Sequence, residues 1–249
     1  MDITLTSRAN INSKIFFNIF NFIKSYSETV LISFTPNDIT IQTKDTASIS
    51  IFNTHIKKEY FERFDVTKEY LLQFNINDLF NVFKLIQHEK RIELTIENDV
   101  YLKVIVNETE HIEKKIYKIN SIITTQTLND ITKFPLPNTS FDIQRNTFCE
   151  ILDQLFTFSD KINIKYIDNT VMFKTIEDNI STKMIYTENI SHIEEKISNF
   201  YSLKYLYKLS KFANYFETVK IYISNKNPIS INCNNDHLHI TYIIGHICH

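Results

Sequence analysis

Lys204, Lys208 and Lys211 stand at i, i+4 and i+7 of one apolar stretch. That spacing puts three ammonium groups on one face of a helix. Leu206, Leu209, Ala213 and Phe216 fall on the opposite face. Such a helix packs its apolar side on the fold and leaves a basic face, which serves as a solvated surface or as one that meets phosphates. The chemistry on offer is electrostatic and indifferent to base sequence. Three further helical stretches repeat the arrangement more thinly. Lys14 and Lys24 leave the apolar face of the first, Lys84 leaves that of the second, and Arg145 opens the third. The acidic residues on these helices are Asp78, Glu150 and Asp153.

Other groups that could do chemistry point elsewhere. Cys233, His237, His239, His246, Cys248 and His249 crowd the C-terminus, and Cys and His at short spacing can bind zinc. Here His237 and His239 alternate along a strand, which places them on one strand face, so no metal is expected. No Ser-His-Asp or Cys-His order and no framed pair of carboxylates stands out, so catalysis is not expected. Gly245 is the single glycine of the chain. One glycine cannot build a P-loop, a dinucleotide fingerprint or a nucleophile elbow, and no cofactor is expected.

Composition sets the outer bounds. The chain has 249 residues, 43% of them hydrophobic, enough for a real core in one large or two ordinary domains. Its twenty Phe and thirteen Tyr, with abundant Ile, Asn and Lys, suit an AT-rich genome. The formal charge of -2 names no partner. Three cysteines make no disulfide framework and fit a reducing, intracellular setting. The segment MDITLTSRAN lacks the apolar run of a signal peptide. No segment approaches the roughly 18 apolar residues of a membrane span, and no membrane partner is expected.

The elements that must position the lysines recur four times. Apolar helices over 10–26, 76–87, 145–158 and 203–216 are each followed by alternating β-branched strands. Asn12 or Ser13 can cap the first. Strands are expected at 2–7, 29–34, 38–44, 47–54, 61–65, 70–74, 91–97, 100–107 and 112–119. A second set follows at 138–144, 161–167, 170–175, 179–186, 196–201, 218–224, 228–233 and 238–244. Thr35-Pro36-Asn37-Asp38 and Asn98-Asp99 supply hairpin turns. Residues 120–137 break the pattern and read as an extended linker ending in Pro135 and Pro137. NDITIQTKDTASISIF aligns with DNTVMFKTIEDNISTKMIY, a turn, a strand, an acidic break and a strand in both. Such repetition points to duplication. The expected organisation is an N-terminal domain over 1–119, a connecting loop over 120–137 and a C-terminal domain over 138–249.

At this point the chain resembles the sliding-clamp family of proliferating cell nuclear antigen. ITIQTKDTASISI, NINDLFNVFKLIQHEKRIELTIEND and FYSLKYLYKLSKFANYFETVKIYISNKNPISI carry the likeness, in that order along nearly the whole chain. The resemblance implies an α+β DNA-clamp fold: two similar domains, each with two helices on antiparallel sheet, assembling into a closed homotrimeric ring. It implies a non-enzymatic processivity factor that encircles double-stranded DNA without sequence preference and tethers DNA polymerase and other clamp-binding proteins. The channel would be lined by Lys14, Lys24, Lys84, Arg145, Lys204, Lys208 and Lys211. Glu150, Asp153 and Asn81 depart from the basic residues usual in the family. The partner-motif pocket would comprise Lys44, Ser48, Ile51, Ile131, Pro228, Tyr242 and Ile243. Subunits would join edge to edge through Ile112, Lys114 and Ile116 on one strand and Lys183, Met184 and Tyr186 on another. A viral source, and the nucleus or a viral replication compartment in the cytoplasm, fit this picture. The alternative is a clamp fold redeployed as a transcription factor or a non-ring interaction protein.

Overall fold

The computed structural model describes residues 3–7, 13–89, 92–109, 112–134, 137, 139–176, 180–187, 196–212, 215–225 and 227–247, with backbone only at 3–7, 107–109, 112, 113 and 211. Within them the chain runs through two units. One comprises Met1–Ser48, Phe52–Asp130 and Asp236–His239, the other Ile49–Ile51, Ile131–Asn235 and Ile240–His249.

The first half of the chain forms β1 (Ile3–Ser7), α1 (Lys14–Lys24), β2 (Thr29–Phe34), β3 (Asp38–Lys44), β4 (Ser50–Lys57), β5 (Phe61–Val66) and β6 (Tyr70–Asn75). It continues with α2 (Ile76–Leu85), β7 (Ile92–Glu97), β8 (Tyr101–Thr109) and β9 (Ile112–Asn120). The second half forms β10 (Thr139–Gln144), α3 (Arg145–Phe156), β11 (Lys161–Ile167), β12 (Thr170–Ile176), β13 (Ser181–Tyr186) and β14 (Ile197–Ser202). It closes with α4 (Leu203–Phe212), β15 (Thr218–Ile223), β16 (Ile229–Asn234) and β17 (Leu238–Ile244).

Strand order makes the duplication explicit. In the first unit strands run β5-β1-β7-β8-β9 and β4-β3-β2-β6; in the second they run β10-β15-β16-β17 and β13-β12-β11-β14. Replacing each first-half strand by its counterpart converts one arrangement into the other, with β5 the extra strand. The recurrence read from the letters is thus a recurrence of topology.

A chain with one glycine must turn by other means. Asn98 and Asp99 take φ of 56° and 57°, and Asp168 and Asn169 take 51° and 59°. Two successive positive φ angles make the type I′ turn whose twist matches a hairpin. Asn and Asp tolerate that region best after glycine. Ser48, φ 58°, closes the turn before β4, with its N–H donating to the Asp45 carbonyl at 2.9 Å. That turn delays the strand expected from residue 47 until Ser50. Gly245 serves a close approach: its N–H donates to the Ile49 carbonyl at 2.8 Å, and a Cβ there would sit 3.2 Å from that oxygen.

α1, α2 and α3 each end two residues before the periodicity suggests. α2 ends at Leu85, because Ile86 leaves the helical region. Ser13 precedes α1 but does not cap it with its side chain. Its buried hydroxyl instead donates to the Ile86 carbonyl and to the Glu89 carbonyl, the latter at 3.2 Å. The start of α1 is thereby tied to the end of α2. Asn75 is the side-chain cap of α2, accepting from the Asn77 N–H at 2.8 Å. The two helices share a ring cluster: Phe83 lies 5.3 Å from Phe16 and 5.0 Å from Phe20 between ring centres. In the second unit Phe148, Ile151, Leu152 and Leu155 of α3 and Leu203, Leu206 and Leu209 of α4 are buried.

Candidate nucleic-acid interface

Each unit presents a pair of helices whose buried stripe is apolar; the other stripe is basic on α1 and α4, mixed on α2 with Asp78 and Lys84, and on α3 carries exposed Glu150 and Asp153 after Arg145. On α1 the residues left outside the core include Lys14, Phe17, Asn21 and Lys24, spaced by three, four and three, so they share one line along the helix. On α2 the corresponding line holds Asn77, Phe80, Asn81 and Lys84. Lys14, Lys24 and Lys84 are exposed, as expected of groups that meet phosphate. Lys24 Nζ lies 3.8 Å above the centre of the Phe80 ring, and Lys84 Nζ lies 5.9 Å from it. Phe80 itself meets Phe17 at 5.8 Å. Cation–π attraction of this kind holds an ammonium in place without neutralising it.

In the second unit Arg145 begins α3 with its N–H donating to the Glu217 carbonyl at 3.0 Å. Its guanidinium turns back on Asn146 Oδ1, Nε at 3.1 Å and Nη2 at 2.6 Å. Lys204 is exposed and Lys208 half-buried on α4. Burial, and secondarily the charge of Lys204, holds the Lys208 ammonium below the usual lysine range. The side chain of Lys211 and the whole of Ala213 lie outside the described residues. Phe156 of α3 stacks on Tyr207 of α4, ring centres 4.2 Å apart and planes 10° from parallel. Helical period alone places these aromatics beside the lysines, although charge is the only signal that marks the face in the sequence.

Of the residues expected at the partner pocket, three are buried within the second unit. Tyr242, fully buried, donates from its hydroxyl to Ser50 Oγ at 3.4 Å inside the second unit. Ile51 and Ile243 are buried there too. Five consecutive residues of β17, Ile240 to Ile244, are buried, so alternation gives no outward face to read. These three positions are therefore core. Pro228 and Ile131 are half-buried, while Lys44 and Ser48 are exposed.

Lys44 instead edges a cleft of about 540 Å³ within the first unit. Leu31, Gln42 and Thr43 form one wall and Thr125, Gln126, Thr127 and Asn129 of the connecting loop the other. Gln42, which no sequence pattern singles out, fixes that loop. Its Nε2 donates to the Asn129 carbonyl at 3.0 Å, and its Oε1 accepts from the Asn129 N–H at 2.6 Å and from Nδ2 at 3.1 Å. Ile122 adds a single β-bridge to Gln73. Ile123 is fully exposed.

β9 and β13 each end a strand order, unpaired along one side among the described residues. Lys114 and Ile116 are exposed on β9, and Lys183 on β13. The Ile112 side chain lies outside the described residues. Met184 is half-buried. Tyr186 is buried and donates its hydroxyl to the Asp142 carbonyl at 2.7 Å, so it belongs to its own unit rather than to a joint. Ile185, 59% exposed, is the apolar side chain that β13 presents.

No catalytic arrangement accompanies these surfaces among the described residues. Burial pushes the Cys233 thiol up to about 12, the opposite of an activated nucleophile. No three His, Cys, Asp or Glu side chains among the described residues gather as metal ligands.

Residues 7–127 match the family model of the proliferating cell nuclear antigen N-terminal domain. The chain is 22% identical to DNA polymerase sliding clamp 3 of Sulfurisphaera tokodaii, across 90% of this chain and 92% of that one. It is 23% identical to the probable DNA polymerase sliding clamp 1 of Paramecium bursaria Chlorella virus 1, across 85% of each. Among solved structures, the PCNA2–PCNA3 complex from Sulfolobus tokodaii matches with a TM-score of 0.83 at 18% identity, covering 98% of each chain.

Proposed function

We infer that this chain, a member of the proliferating cell nuclear antigen family, is a DNA polymerase processivity factor: a sliding clamp that closes into a ring around duplex DNA. Within the molecule, the observation that carries this reading is the pair of open sheet edges. One of the edge strands of each unit, β9 or β13, carries an exposed isoleucine, Ile116 or Ile185. Unpaired edges invite association unless they are matched, and a head-to-tail joint of β9 on β13 satisfies both in a ring that closes. Three copies make that ring. The relatives support self-association of this kind by name, as sliding clamps and as a complex of PCNA2 with PCNA3.

A ring holds DNA by topology, so its inner contacts need only be weak. Lys14, Lys24, Lys84, Arg145, Lys204, Lys208 and Lys211 supply contacts of that kind to phosphate, sensitive to salt and blind to sequence. The cleft between Gln42 and the connecting loop is where polymerase and other partners dock, with Lys44 at its rim. The protein does no chemistry of its own. It works inside the cell on DNA, in a nucleus or a viral replication compartment.

A second reading rests on charge. Lys114 on β9 and Lys183 on β13 are both exposed near the isoleucines. Like charges at a joint disfavour pairing of two identical chains and favour a mixed ring with a clamp chain of acidic edge.

Retention on DNA tests the topology. The clamp is threaded onto a linear duplex tethered to beads, and the far end is then blocked with streptavidin. A ring stays bound through a high-salt wash and leaves when the end is cut free. Loss at high salt with both ends blocked would contradict encirclement.

A further inference from the structure

The helix faces carry more than charge. In each unit an aromatic pair bridges the two helices outside their buried stripe: Phe17 with Phe80 at 5.8 Å, and Phe156 with Tyr207 at 4.2 Å. Phe156 is 37% exposed, and Leu85 and Phe158, close in sequence to α2 Lys84 and α3 Phe156, are 71% and 42% exposed. Lysines flank both pairs. Lys24 and Lys84 lean over Phe80, while Lys204 and Lys208 lie three residues before and one after Tyr207.

A duplex does not use these rings. Its bases are stacked on one another, and only phosphates and groove edges reach a helix surface. An apolar protein helix does not suit them either. Covering Phe80 would strip water from the ammonium of Lys24, 3.8 Å from the ring, at a cost that only an anion repays. A ligand with both flat π-faces and regular negative charge satisfies the rings and the lysines, while exposed Asp78, Glu150 and Asp153 oppose it. Aromatic platforms flanked by basic side chains are how unpaired nucleotides are held without regard to sequence.

We propose that the α1–α2 and α3–α4 faces bind single-stranded nucleic acid, with Phe17–Phe80 and Phe156–Tyr207 as base-stacking platforms and the adjoining lysines as phosphate contacts. The inference rests on the helix faces being the nucleic-acid surface of the clamp. It adds that this surface holds unpaired nucleotides, such as those beside a primer end, more firmly than paired ones.

The test compares a fluorescein-labelled oligo(dT) strand with a blunt duplex of the same length, by anisotropy at about 50 mM salt. Charge density alone favours the duplex. The proposal expects the strand to bind at least as tightly. Phe80→Leu combined with Tyr207→Leu keeps apolar volume but removes the π-faces. It should weaken strand binding about ten-fold or more and leave duplex binding within about two-fold. Phe156→Leu alone, at a more exposed position, should give a smaller loss of the same selectivity, and serves if the double variant misfolds. Tighter duplex binding by the unaltered protein, or equal losses for strand and duplex, overturns the proposal and leaves the clamp reading intact. Binding to neither probe overturns the proposal too, and the clamp reading then stands or falls on retention by end-blocked duplex.

Discussion

Gln42 is 2% exposed and holds the connecting loop through both polar atoms of its side chain. Replacing it by Ala leaves the Asn129 groups and Asn53 Oδ1 without that partner. A loss of about 1–3 kcal/mol is expected. The measurable sign is faster hydrogen exchange at the Asn129 amide, with β2 and β3 unchanged. His239 is held below the ordinary histidine range by burial first, then by His55 and Lys57. Its neutral form is the one the fold favours. That contribution is whole above the unfolded value of about 6.5 and is lost as pH falls below it. Thermal melts between about pH 7 and pH 5 should therefore show a shallower decline in His239→Gln than in the parent protein. At this scale the sequence was legible where a residue's period was helical, as for Lys204 against Leu206 and Leu209. It was not legible for Tyr186 and Tyr242. Both were named from the family likeness; Tyr186 turns inward by alternation at the end of β13, and Tyr242 lies in the continuously buried stretch of β17.

Elements were the most readable level. β2, β3, β11 and β17 coincide with the expected strands, because β-branched apolar runs between polar turn residues mark their extent locally. Helix ends were less readable. The fate of Ser13 depends on Ile86 and Glu89, more than seventy residues away. That tie carries a prediction. Ser13→Ala removes a buried hydroxyl that links the start of α1 to the end of α2. It should cost about 1–3 kcal/mol, seen as a drop in Tm of about 2–4 °C for each kcal/mol lost. The type I′ turns carry another. Asn98→Val puts a β-branched residue at φ 56° and should destabilise the protein by about 1–3 kcal/mol, whereas Asn98→Gly should not.

For the whole molecule, duplication was visible as repeated letters and became a repeated strand order. The joint between copies was only half visible. Edge strands could be named from the family likeness, but which side chains they expose depends on the register of β8 with β9 and of β12 with β13. That register brought out Ile185 and turned in Tyr186. Ile185→Lys should abolish association of copies and lower the Tm only by the stability that association supplies, because the side chain is 59% exposed in the single chain. The most direct test of the ring is the solution mass of the unaltered protein by light scattering through a dilution series. A self-closing clamp predicts a species at three times the 29.6 kDa of one chain, reduced to one chain by Ile185→Lys. A mass of one chain at every concentration would contradict self-closure into a ring.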